Sequence, residues 1–260
     1  MNGTGASDPF SVRGKHALVV GGTRGIGKAI AWQLANGGAE VIANYVRDDE
    51  AASSLIADAQ KLGLRLEVQR ADVSADKGRE QLVAAVNERY EDLSVLVFAA
   101  ATGVHRPFEQ LSGRYFDFTY ALNVKAFLAL VQVFAPRMQS GGSVIAVSSE
   151  GAVHAMTHYG LVGSSKAALE SLCRHLAVEL APKGVRVNVL SPGTVLTDAW
   201  KILPDAEHRL AKVAVRAPRG RLTSLEEVAL AAQFLASDAS SGMAGHTLVV
   251  DGGARVVGSG

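Results

Sequence analysis

The chain of 260 residues carries 26 basic and 25 acidic side chains, a formal net charge of +1, and 48% apolar residues. That length suits one large α/β domain, and with no basic block of five or more residues neither nucleic acid nor an anionic membrane is expected as a partner. Apolar runs such as 95–101 stop well short of a bilayer span, and the lone Cys173 sits in an apolar helical pattern that suits a buried structural thiol in a reducing cytoplasm.

Residues 1–13 are rich in Gly, Ser, Thr and Asn without an apolar signal core, which predicts a flexible leader before a single domain over 14–257. Residues 16–20 form an apolar run of strand length. Gly21-Gly22-Thr23-Arg24-Gly25-Ile26-Gly27 follows at once, and a helical pattern over 28–36 ends at Gly37-Gly38. Strand, glycine turn and helix make a phosphate-binding arrangement. Gly21 permits the tight turn, Gly25 lets backbone approach a pyrophosphate, Gly27 lets the helix pack closely, and free N–H groups at the helix start face the anion. Such glycine turns also serve packing alone. A second strand over 40–44 ends where a dinucleotide's adenosine ribose would lie, and Asn44 and Tyr45 stand there in place of the acid that binds the 2′-OH of NAD. Arg24 and Arg47 can meet a 2′-phosphate bidentately, which predicts NADP(H); the alternative leaves both as solvated surface residues.

Helices over 49–62 and 76–90 alternate with strands over 65–70 and 94–99. The alternation predicts an α/β fold: a Rossmann-like, doubly wound parallel sheet of about seven strands with helices on both faces. Asp72 is either an acceptor for an adenine amino group or part of the next helix's N-cap region. After the loop 102–107 a long helical pattern runs over 111–138. Asn123 inside it implies either exposure or a local bond that bends the helix. A fifth strand, 143–147, ends at Ser148-Ser149. Ligands of such sheets lie outside the carboxyl ends of the strands, so the glycine turn, Asn44, Asp72, Ala99, Ala100, Ala101, Ser149 and the loop after the sixth strand should face one crevice.

Tyr159 and Lys166 stand two helical turns apart, so a helix from about residue 159 aims both into one pocket. An ammonium favours a hydrogen-bonding or partly ionised phenol, and the pair suits polarising an oxygen; alternatively Tyr159 caps the helix and Lys166 is solvated. The helix's apolar arc, with Leu172 and Leu176, is wider than one sheet-facing stripe needs, which predicts a second buried face against another subunit. A sixth strand over 185–190 leads into Pro192, Gly193, Val195 and Thr197. Residues 198–219, with Trp200 and Leu203, read as a lid over substrate or as a surface helix pair. A helix over 225–236, a strand over 246–250 and the turn Asp251-Gly252-Gly253 close the chain. No metal is expected, since His154 and His158 have no nearby third ligand.

The glycine turn, Asp72, Asn123, Ser149, Lys166, the Pro192-Gly193 loop and Val249-Val250-Asp251-Gly252-Gly253 together resemble the short-chain dehydrogenase/reductase superfamily over residues 12–257. That family's usual tyrosine stands four residues before the lysine, at position 162, which is Val162 here. Tyr159 instead makes the Tyr-x6-Lys spacing of the superfamily's enoyl-thioester reductases, and the chain looks most like the NADPH-dependent enoyl-[acyl-carrier-protein] reductase III type. It departs from the family pattern at Val20, where a Thr is usual, and at Phe98-Ala99-Ala100-Ala101, where Asn-Asn-Ala-Gly is usual.

The resemblance implies NADP(H) contacts from Gly21, Thr23, Arg24, Gly25, Ile26 and Gly27, and from Asn44, Tyr45, Arg47, Asp72 and Val73. Further contacts come from Ala99, Ala100 and Ala101, and from Pro192, Gly193, Val195 and Thr197. It also implies a nicotinamide beside Ser149 and Tyr159, with Lys166 on its ribose and Asn123 supporting the lysine. Hydride would pass to the β-carbon of an enoyl thioester on acyl carrier protein or CoA while Tyr159 stabilises the enolate oxygen; Val104, Trp200 and Leu203 would touch the substrate. A homotetramer serving fatty acid or polyketide biosynthesis is the expected assembly. Two other readings stand: a carbonyl or β-ketoacyl reductase, against which Val162 argues, and a non-catalytic NADP(H)-binding protein, against which Tyr159 and Lys166 argue.

Overall fold

The apolar runs fold as strands because both of their faces are covered. β4 (Val95–Phe98) and β5 (Ser143–Val147) are buried at every position, as central strands between two helical layers must be. The computed structural model describes residues 8–139, 141–197, 210–211, 213–215 and 217–257. Among these, β1 (His16–Val20), β2 (Glu40–Tyr45), β3 (Leu66–Arg70), β6 (Arg186–Pro192) and β7 (Thr247–Val250) complete a seven-stranded parallel sheet in the order β3-β2-β1-β4-β5-β6-β7. The chain reverses its winding between β1 and β4, where Val20 lies opposite Phe98. The crevice at that switch point is where such sheets bind ligands.

One face of the sheet is covered by α1 (Gly25–Asn36), α2 (Asp49–Lys61) and α7 (Leu225–Ala236), which bury Ile30, Leu34, Leu55, Val228 and Leu235. α7 starts where the sequence expects because Ser224 and Glu227 form a reciprocal capping box. The other face carries α3 (Asp76–Arg89), α5 (Phe127–Phe134) and α6 (Gly160–Leu180), with Leu82, Phe127, Leu130, Leu169 and Cys173 in its core.

The long helix expected over 111–138 is broken. α4 (Gly113–Tyr120) passes into a π-helical turn over Ala121–Ala126 before α5 begins. Asn123 lies in that turn with no exposure. Its Oδ1 accepts from Thr102 N, and its Nδ2 donates to Thr102 O and Ser165 Oγ, each at 2.9 Å. Neither reading of this Asn holds as stated, since it is buried and its partners lie 21 and 42 positions away: a fully used amide ties the loop after β4 to α6, at the kind of widened turn that often marks functional sites.

Two further expectations change. Residues 8–13, assigned to the loose leader, pack on the domain: Val12 is fully buried, the Phe10 and Phe234 rings lie 6.2 Å apart, and Pro9 O accepts from Ala239 N. On α6, Leu176 is buried in the chain's own core and Leu172 packs against it, while Val178 is 75% exposed. Those two leucines therefore call for no second subunit.

Candidate active site

The glycine turn is shaped by close approaches. Gly21 has φ +77, and a Cβ there would lie 2.8 Å from Ala100 N; a Cβ at Gly27 would lie 2.0 Å from Gly21 O. α1 begins on Gly25, earlier than the apolar pattern suggests, and its N-cap Arg24 supplies no side-chain cap. The first-turn N–H groups therefore have no side chain closing them off, and Gly25 leaves the space beside it open, since a Cβ there would only touch Thr197 at 3.5 Å. Uncapped donors beside an open glycine fit a pyrophosphate. Ile26, Ala99 and Ala100 are half-buried around this end of the sheet and Ala101 is exposed, whereas Thr23, Val73 and Val195 are buried and offer little surface. Pro192 ends β6, and Gly193 donates its N–H to Val250 O at 2.9 Å. A Cβ at Gly193 would meet Asp251 Cβ at 2.7 Å, so this glycine lets the 251–253 turn pass closely.

The adenosine end differs from expectation. Asn44 is 1% exposed, and its Nδ2 donates to Ala71 O at 3.0 Å and Gln69 O at 3.2 Å, so the amide ties β2 to the end of β3 and does not face a ribose. Arg24 Nη1 lies 3.6 Å from Asp48 Oδ2, whose other oxygen caps α2 through Ala51 N. Arg47 is exposed. The Tyr45 hydroxyl donates to Asp49 Oδ1 at 2.9 Å, and this carboxylate, followed by burial, holds the phenol above its ordinary range. Asp72 is exposed, with Oδ1 accepting from the N–H and hydroxyl of Ser74; the N-cap of α3 is Ala75, so Asp72 braces the turn before the helix. Asp48 was missed in the sequence, where it reads as one more polar residue of a helix start.

At the end of β5 the catalytic candidates converge. Tyr159 is the N-cap of α6, following His158, which adopts the left-handed φ of +61 that non-glycine residues rarely take. From that position the phenol turns back over Gly151, where a Cβ would lie 2.4 Å from Tyr159 Cε1. Its hydroxyl comes within 3.3 Å of Ser149 Oγ, which accepts from Gly151 N at 3.0 Å. The His105 ring stands edge-on to Tyr159 with centroids 5.2 Å apart. Lys166 is 4% exposed and donates to Val147 O at 2.7 Å; burial pushes its ammonium down to about 8. Asn123 bonds Ser165, the residue before the lysine, so any support it lends Lys166 passes through the helix backbone.

Val162 occupies the position where the family usually has its tyrosine, and it is 5% exposed. A Cβ on Gly103 would lie 2.1 Å from Val162 Cγ2, so the valine is sealed against the loop after β4. Val104, two residues beyond Thr102, is half-buried in that loop. Trp200 and Leu203 lie outside the described residues, as does most of the proposed lid. Two partners escaped sequence reading: His105, which carries no local signal, and Glu170, whose only signal is a carboxylate four residues after Lys166 inside an apolar arc.

The protein-family pattern described as enoyl-(acyl carrier protein) reductase matches residues 20–255. The 1-cyclohexenylcarbonyl-CoA reductase of Streptomyces collinus is 33% identical over 243 residues, which cover 93% of this chain and 87% of that protein. The 7alpha-hydroxysteroid dehydrogenase of Escherichia coli strain K12 is 34% identical over 251 residues, covering 95% of this chain and 96% of that one. A solved 7alpha-hydroxysteroid dehydrogenase in complex with NADH and 7-oxo glycochenodeoxycholic acid superposes with a TM-score of 0.88 at 34% identity, covering 95% of this chain and 97% of that one.

Proposed function

The chain is an oxidoreductase that belongs to the short-chain dehydrogenase/reductase superfamily, and on that premise we propose that it uses NADPH to reduce the carbon–carbon double bond of an enoyl thioester. The observation that carries this reading is the phenol's address. Tyr159 reaches Ser149 from the N-cap of α6, while the place of a ketone reductase's proton donor is closed by Val162. A ketone must receive a proton on oxygen as it is reduced, and valine has none to give. A thioester oxygen that gains charge as hydride adds to the β-carbon needs only a strong hydrogen-bond donor, and the enolate then takes its proton at the α-carbon from solvent water. Tyr159 supplies that donor, Ser149 orients it, and Lys166 holds the nucleotide's ribose.

When bound, the nicotinamide supplies the hydride. The name of the Streptomyces relative supports a conjugated thioester, whereas a hydroxysteroid dehydrogenase of similar identity favours carbonyl chemistry, so identity alone does not choose between them. The test mixes pure protein and NADPH with a short 2-enoyl-CoA, and separately with the matching 3-ketoacyl-CoA. Absorbance loss with the enoyl thioester alone is expected; faster loss with the ketoacyl thioester overturns the assignment. Acyl carrier protein or CoA as the carrier, and a homotetramer as the assembly, complete the proposal.

The preference for NADPH rests on Arg24 and Arg47 meeting the 2′-phosphate. The Arg24–Asp48 pair is exposed, 68% on the arginine side, and such pairs contribute about 0–1 kcal/mol. A charge-assisted bond to phosphate contributes about 1.5–3 kcal/mol, so Arg24 gains by turning to the nucleotide, and NADPH should bind at least about tenfold tighter than NADH. The double variant Arg24→Ala/Arg47→Ala should lose that margin. Equal dissociation constants for both nucleotides in the unmutated protein would remove the basis for it.

A further inference from the structure

Beside Ser148, at the end of β5, lies a buried carboxylate that the chemistry above does not employ. Glu170 stands one turn after Lys166 on α6 and is 6% exposed. Its Oε1 accepts the Ser148 hydroxyl at 2.5 Å. Ser148 is itself 4% exposed and donates its N–H to Leu190 O at 2.8 Å, which fixes it in line with the sheet. Lys166 meanwhile donates to the carbonyl of Val147. Two side chains of opposite charge, one turn apart on a single helix, thus grip two consecutive residues at the end of β5.

We infer that Glu170 is a positioning residue for Lys166: anchored by Ser148, its carboxylate keeps the lysine charged and fixed at the end of β5, which rests on the reading that Lys166 holds the nucleotide's ribose. A buried ammonium loses its water and tends to shed its proton, and an opposite charge close by opposes that loss. Burial pushes Lys166 down to about 8, while Cys173 and Glu170 act in the opposite sense. Burial also pushes the Cys173 thiol up to about 12, with Glu170 adding to the rise and Arg174 and Lys166 opposing it, so the thiol is uncharged at neutral pH. Of the two groups that act against the loss, Glu170 is the carboxylate, held by Ser148 one turn from the lysine on the same helix. The elements packed against this helix bring the Val147 carbonyl and Ser148 hydroxyl from β5 and the Asn123–Ser165 bond from the π-helical turn, with Lys125 on that turn, Glu150 on the turn after β5, Arg114 and Asp117 on α4, and the Tyr159 phenol at the helix's own start.

The sign follows from the chemistry. A lysine with a depressed pKa is charged below its midpoint and neutral above it, so removing the carboxylate moves the midpoint down and shortens the pH range in which the ammonium exists. Glu170→Gln keeps an oxygen for the Ser148 hydroxyl and deletes only the charge. The Lys166 ε-carbon resonance, identified by its loss in Lys166→Ala, is titrated by NMR in nucleotide-free protein. The midpoint near about 8 should fall by about one unit in Glu170→Gln, which is about a tenfold smaller charged fraction above it. NADPH should bind correspondingly more weakly at pH 8 and with little change at pH 6. Ser148→Ala, which frees the carboxylate but keeps its charge, should move the midpoint in the same direction by less, and it decides the matter if Glu170→Gln does not fold. An unchanged midpoint in the folded variant overturns the inference. Because the titration needs neither nucleotide nor substrate, failure to reduce enoyl thioesters would leave its result standing.

Discussion

Tyr159→Phe should lower turnover of an enoyl thioester by roughly a hundredfold or more while leaving the NADPH dissociation constant nearly unchanged. The phenol hydroxyl is 3.3 Å from Ser149 Oγ. Losing one donor to a developing oxyanion typically costs about 3–4 kcal/mol in the transition state, whereas the ring itself, packed over Gly151 and beside His105, stays in place in the phenylalanine variant. The effect should therefore fall on kcat and not on folding or nucleotide affinity. Stopped-flow turnover beside a fluorescence titration with NADPH separates the two. Full activity in the variant would remove Tyr159 from the mechanism, and with it the argument for the substrate class.

Gly27→Ala should abolish measurable nucleotide binding and weaken the fold. The added Cβ would lie 2.0 Å from Gly21 O and 2.9 Å from Gly21 C, backbone atoms that cannot step aside without moving the turn. Overpacking of this kind costs about 1–3 kcal/mol, and here the strain falls on the first turn of α1, whose uncapped N–H groups are the candidate anion site. Urea unfolding should show the loss of stability, and NADPH titration the loss of binding. Gly242→Ala, where a Cβ meets nothing within 4 Å, is the matched control and should change stability by less than about 0.5 kcal/mol. A Gly27→Ala protein that binds NADPH normally would show that the turn serves packing alone.

The sequence by itself determined those features whose physics is local. Val95–Phe98 and Val144–Val147 are apolar without interruption, which suits a strand covered on both faces. Ser224 with Glu227 starts a helix from four residues alone, and the need for glycine at position 27 follows from its contact with Gly21 O inside one turn. The separation of Tyr159 from Lys166, with Val162 between them, was likewise visible as a count of residues. Tertiary structure decided what depends on partners far along the chain. Asn123 lies in a π-helical turn with its amide taken up by Thr102 and Ser165, Asn44 turns from the ribose to the carbonyls of Gln69 and Ala71, and Val12 finds its core beside α1. Leu176 looked like an interface residue until the width of the sheet beneath α6 buried it. Glu170 reads as one more helical charge until Ser148, 22 positions earlier, comes within 2.5 Å of it. The reason is the same in each case: a polar or apolar group is satisfied by whatever the fold brings to it, and a linear sequence records the group without its neighbour.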